Sequence, residues 1–224
     1  MIWRLVTCFS LAIIAALAGT VSGQVDLGSK DAADVVVSLE PVNATPPAPA
    51  KPGSVLHKNK TFVPHVLAIP VGTRVAFPNR DPWFHNAFSN YDGQIFDIGM
   101  HPPGTAREVT FRRAGIVRVF CNIHPTMSAL IVVLPTPHFA VTKADGVFQI
   151  ANVPPGDYNL RVFHERVLPE KLQQAERTVT VPADGLQLPK LTLSTAGFIP
   201  APHKNKYGKD YPPVTKDIYP GQVP

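Results

Sequence analysis

The strongest constraint on this chain lies between residues 116 and 134. Ile116-Val117-Arg118-Val119-Phe120 and Ala129-Leu130-Ile131-Val132-Val133-Leu134 are apolar, β-branched runs separated by Cys121-Asn122-Ile123-His124-Pro125-Thr126-Met127-Ser128. Two such runs around a short loop predict a β-hairpin. The loop then holds a thiol, an imidazole and a thioether, three residues apart, at one end of a sheet. Alone, the cysteine or the methionine would read as core filling. Together with His124 in one loop they suit copper, because sulfur favours Cu(I) and imidazole accepts both oxidation states.

The rest of the chain reads as all-β. Its 25 prolines sit mostly between apolar runs, and proline is hostile to helix interiors. Strand-like runs occur at 34–40, 66–69, 73–77, 94–99 and 109–111 before the hairpin. More follow at 139–142, 147–150, 158–163, 177–181 and 188–193, with Asp145-Gly146 as a hairpin turn signal. Many short strands between turn signals predict sandwiches. The predicted organisation is a secretory leader over 1–23, a copper-loop domain over 31–135, a smaller antiparallel sandwich over 136–197, and a basic Pro/Tyr-rich tail, disordered or draped over the surface, at 198–224. Pro41 to Pro52 reads as an extended junction.

Arg4, the mostly apolar stretch from Leu5 to Ala18 and the small residues Val21-Ser22-Gly23 have the form of an export signal cut before Gln24. No later run is apolar enough to span a bilayer, so the expected location is periplasmic or secreted. Removing the leader takes Cys8 with it and leaves Cys121 with no internal disulfide partner. The net charge of +5 is mild and spread along the chain, which argues against nucleic acid. No general base, phosphate loop or nucleophile–base pair is visible, so no enzyme is expected.

The C-x2-H-x2-M spacing with Pro125 after the histidine resembles the cupredoxins, and among them the amicyanins. Asn79-Arg80-Asp81-Pro82-Trp83-Phe84-His85-Asn86 resembles the segment that carries the family's first histidine ligand, and Phe62-Val63-Pro64 with Leu67, Ile69 and Gly72 resembles its lead-in. The resemblance covers about Thr61 to Pro135. It implies a Greek-key β-sandwich holding one type 1 copper on His85, Cys121, His124 and an axial Met127. It also implies a bracing role for Asn79. Pro125 lacks an N–H and cannot donate to the thiolate. Pro82, Trp83 and Phe84 flank the ligands and read either as packing or as a docking patch, with Phe84 expected in the core. The implied function is single-electron transfer, with a cytochrome c or a dehydrogenase as redox partner. Copper storage or delivery with the same ligands is the alternative.

Of the other histidines, His65 and His101 are expected at the surface, and His57, His138, His164 and His203 have no ligand-like neighbours in sequence. Residues 142–160 resemble the carboxypeptidase regulatory-like, transthyretin-like sandwich. That unit would need a first strand from elsewhere. Val35 to Glu40 could supply it, making the copper-loop domain an insertion.

Overall fold

The computed structural model describes residues 18–29, 31–43, 51–90 and 93–212. Most of the predicted leader therefore lies outside the described residues. Among those described, no helix is long and apolar enough to cross a membrane.

The structure is predominantly β. Ser128–Leu134 is the central strand of the site-bearing half. It pairs antiparallel with Gly115–Phe120, from Phe120 opposite Ser128 to Gly115 opposite Val133. On its other side it pairs parallel with Val66–Pro70. Phe88–Ser89 and Phe96–Asp97 extend this sheet beyond Gly115–Phe120. Facing it is a smaller sheet of Ala106–Thr110, Arg74–Pro78 and Gly53–Ser54. Val75, Phe77 and Phe111 meet Val117, Val119, Ile131 and Val133 in one buried core. Two sheets closed over a shared core form a sandwich.

The unbroken apolar run in Ser128–Leu134 has a physical cause. Ala129, Ile131 and Val133 point into that core, while Leu130, Val132 and Leu134 pack on the opposite face against Val36, Val66 and Ala68. A strand covered on both faces has no reason to alternate.

The covering face belongs to residues from both ends of the chain. Val36–Pro41 pairs with Phe139–Val141 on one edge and with Gly156–Phe163 on the other, and Arg177–Val181 continues that sheet. Gly19–Asp26 pairs antiparallel with Val147–Val153 and parallel with Leu186–Gln187 and Leu191–Thr192. Val21, Val25, Val37, Leu39, Ile150, Leu160 and Val162 are buried together. Gly19 to Gly23, assigned to the leader by the sequence reading, thus lie within a paired strand, and Val21 has no exposed surface.

One element departs from the all-β expectation. Pro169–Ala175 is a short helix. Its proline stands in the first turn, where no intrahelical N–H is needed, and Leu, Gln and Ala follow.

The tail is ordered over the ligand loop as far as it is described. His203 stacks on Phe120 at 3.9 Å between ring centres and donates from Nε2 to the Pro125 carbonyl at 2.8 Å. The Tyr211 hydroxyl donates to the Cys121 carbonyl at 2.8 Å, and the Lys206 amide to the Asn122 side chain at 3.1 Å. Residues 213–224 of the predicted tail lie outside the described residues.

Candidate metal centre

His85 stands on the loop that leaves Arg74–Pro78. This loop is polar at its start because its side chains tie its own backbone. Asn79 Oδ1 accepts the Asp81 amide at 3.0 Å, and Asn79 Nδ2 donates to the Trp83 carbonyl at 2.7 Å. The Asp81 carboxylate accepts the amides of Asn59 and Lys60, and the Nε2–H of His85 at 2.8 Å. Burial works to raise Asp81, but those two amides and His85 outweigh it and hold the acid below its usual range. An ionised Asp81 fixes the proton of His85 on Nε2 and leaves the Nδ1 lone pair free, the arrangement of a carboxylate–histidine–metal relay.

Cys121 and His124 come from the hairpin loop. The Met127 amide donates to the His124 carbonyl at 3.0 Å, and the Cys121 amide to the Met127 carbonyl at 3.3 Å, so the loop closes on itself. Asn86, next to His85, bridges the two loops by accepting the Asn122 amide on Oδ1 at 2.6 Å.

The three donors converge. His85 Nδ1 lies 3.1 Å from His124 Nδ1 and 3.9 Å from Cys121 Sγ, and His124 Nδ1 lies 3.7 Å from the same sulfur. With metal–nitrogen bonds of about 2.0 Å and a metal–sulfur bond of about 2.3 Å, an ion in the centre of a trigonal plane needs sides of roughly 3.5 to 3.7 Å. The triangle fits to within a few tenths of an ångström. His85 and Cys121 are fully buried, and His124 is 6% exposed.

The charge balance suits a redox-capable copper site. Burial above all, then His85 and Lys60, lowers the His124 pKa to about 4, so its ring is neutral and able to ligate. Burial also lowers His85, against the opposing pull of Asp81. Burial raises Cys121, while the backbone amides of Asn86, Ile123 and His124 work the other way. A metal ion would displace the thiol proton, as ligation requires. One thiolate and two neutral rings then balance Cu(I) and leave one net positive charge with Cu(II). The donors His85, Cys121 and His124 make a type 1 copper-binding set, one ion per chain.

Met127 is fully buried behind the loop. Asn79 braces within its own loop and toward the His101 carbonyl at 3.3 Å, while the bond across to the Cys121 loop is made by Asn86, which the sequence reading gave no role. Pro125 offers its carbonyl to His203. Pro82 is exposed and Trp83 half-buried under the Lys60 ammonium. Phe84, expected in the core, is 50% exposed.

Two further histidines correct the sequence reading. His101, expected at the surface, and His57, read as having no ligand-like neighbours, are both fully buried beside His85. His57 lies 5.4 Å from the His85 ring and 4.9 Å from that of His101. His101 bonds His85 through both backbones. His57 was detectable by period: it lies two residues after buried Val55, on the same inward face.

No family model matches the chain. It is 38% identical over 60 residues to the methylamine utilization protein MauL of Methylorubrum extorquens; the match spans 26% of this chain and 53% of MauL, about half its length. Among solved structures, a copper-containing nitrite reductase from Thermus scotoductus is 32% identical, with a TM-score of 0.36, over 42% of this chain and 24% of its own. A purple cupredoxin from Nitrosopumilus maritimus is 26% identical, with a TM-score of 0.34, over 37% of this chain and 99% of its own. An oxidised amicyanin variant is 24% identical, with a TM-score of 0.35, over 37% and 82%.

Proposed function

We propose that this chain is an exported type 1 copper protein that carries single electrons and catalyses no reaction of its own. The observation that supports this most is the His85–Cys121–His124 triangle, with sides of 3.1 to 3.9 Å in a buried site. Bound copper supplies the one-electron couple. The chain keeps the donors from rearranging: Asp81 fixes the His85 ring, Asn86 joins the two loops, and Tyr211 and His203 hold the hairpin tip from outside. A site that hardly moves between oxidation states loses little to reorganisation. Met127 would complete the set as a weak thioether donor.

Residues 51–135 form the cupredoxin domain on this reading. They interrupt a smaller β unit that begins with Gly19–Asp26 and Val36–Pro41 and resumes at Phe139–Val141. That unit is of the carboxypeptidase regulatory-like kind and serves as a mount. Pro82, Trp83 and Phe84, with Ile123 at 41% exposure and Pro125, form the face where a cytochrome c or a dehydrogenase docks in the periplasm or outside the cell. Weak redox encounters need only a small interface.

Voltammetry of the copper-loaded chain tests this. A reversible one-electron wave with slow copper release to a chelator is expected. Rapid release with no reversible wave would make the protein a copper carrier instead.

A further inference from the structure

The covering β unit meets the sandwich of the metal centre along an apolar seam, where Val36 and Phe163 pack with Val66, Leu130 and Leu134. One rim of that seam is polar. His65, just before Val66–Pro70, meets the carboxylate of Glu165, two residues past Phe163, through Nε2 at 3.1 Å. Its Nδ1 faces the Ser128 carbonyl at 3.2 Å. Among the ion pairs between described residues, this is the one that crosses the seam. The same side chains line a cleft of about 310 Å³, together with Leu130, Arg118 and Arg166. A neutral imidazole has one N–H and one lone pair. Here both ring nitrogens face groups that only accept, a carbonyl and a carboxylate. Only the imidazolium, with two N–H donors, satisfies both at once.

We propose that His65 and Glu165 form a pH-operated latch across this seam, closed while the ring carries both protons and open once one has left. A ring that keeps its proton on Nδ1 turns a lone pair toward the Glu165 carboxylate. One that keeps it on Nε2 turns a lone pair toward the Ser128 carbonyl. In either form one of the two bonds becomes a repulsion. The surroundings set the window. The bond to Glu165 above all raises His65, against burial, and the Glu165 charge, the Ser128 carbonyl and Asp34 add to the rise. Glu165 is lowered, first by its bond to His65, with the charges of His65, His164 and Arg166 helping against burial. Arg118 and His203 also border the cleft. The raised ring contributes fully below its ordinary value of 6.5 and loses that contribution as pH rises through the raised value. The lowered acid contributes above its ordinary value of 4.5 and loses that contribution as pH falls. The latch is therefore closed from mildly acid to neutral pH and opens above the His65 titration. Both side chains are 36% exposed, so the pair is weak enough to open without unfolding either β unit.

The test follows the ring-nitrogen resonances of His65 against pH in the full chain, together with NOEs from the Phe163 ring across the seam. In the native chain His65 should titrate above 6.5, and the cross-seam NOEs should weaken over the same pH range. Glu165→Gln should move the titration down, and its seam NOEs should no longer follow pH. NOEs that hold steady through the native His65 titration would make the pair a fixed contact and overturn the latch. A native His65 that titrates at or below 6.5, or one that titrates identically in Glu165→Gln, overturns it too. Should the variant fail to fold, the native titration and its NOEs decide alone. The measurement needs no metal, so its outcome is separate from that of the copper reading.

Discussion

The carboxylate of Asp81 stands 2.8 Å from Nε2 of His85, and this one bond decides which nitrogen of the ring faces the sulfur of Cys121. Without it the ring has no fixed tautomer. Partners of this kind typically account for 10–100-fold in metal affinity. Asp81→Ala should weaken copper binding by about that factor in competition titrations, and Asp81→Asn by less, since its amide oxygen can still accept. An unchanged affinity in Asp81→Ala would remove the acid from the site's architecture.

The buried histidines make the metal-free chain acid-sensitive. Burial is the main cause for both His57, held near 3, and His124, held near 4, against the ordinary imidazole value of 6.5. In the unfolded chain both rings take up a proton near 6.5, while in the folded chain they do not until the lower values are reached. Their contribution to stability is therefore intact above pH 6.5 and is lost as pH falls toward 4 and then 3. Each pH unit costs about 1.4 kcal/mol per group over that window. The urea midpoint of the copper-free protein should drop between pH 7 and pH 4.5. A flat midpoint across that range would contradict the burial of neutral rings.

The C-terminal segment acts on the ligand loop from outside. Tyr211→Phe removes a donor to the Cys121 carbonyl and should cost about 0.5–1.5 kcal/mol in unfolding free energy. Ending the chain before His203 removes the bond to Pro125 and the stack on Phe120 as well, and should speed copper release to a chelator. Release at the native rate would mean that the segment lies on the loop without holding it.

The parts of this architecture that were legible in the sequence are local. The hairpin, Cys121 and His124 were readable because the loop and its flanking runs are contiguous. Ala129 to Leu134 was read as a strand; that its lack of alternation reflects cover on both faces emerges only from the structure. His85 was reached only through family resemblance, since nothing local ties it to a loop 36 residues away. Asn86 and His57 act across such distances too, and polar residues in a loop or on a strand carry no mark of their partner. Gly19 to Gly23, read as the end of a leader, also lie in a paired strand. Small residues suit both a cleavage site and a strand packed close to its neighbours: a Cβ on Gly19 would lie 2.5 Å from the Gly185 amide.

The most direct test is the visible spectrum of the metal-free chain titrated with Cu(II), for the native protein and for Cys121→Ser. An intense blue thiolate-to-copper band that saturates at one ion in the native chain and is missing from the variant is the expected result. A native chain that stays colourless, or a Cys121→Ser chain that turns equally blue, would contradict the assignment of His85, Cys121 and His124 as a type 1 copper site.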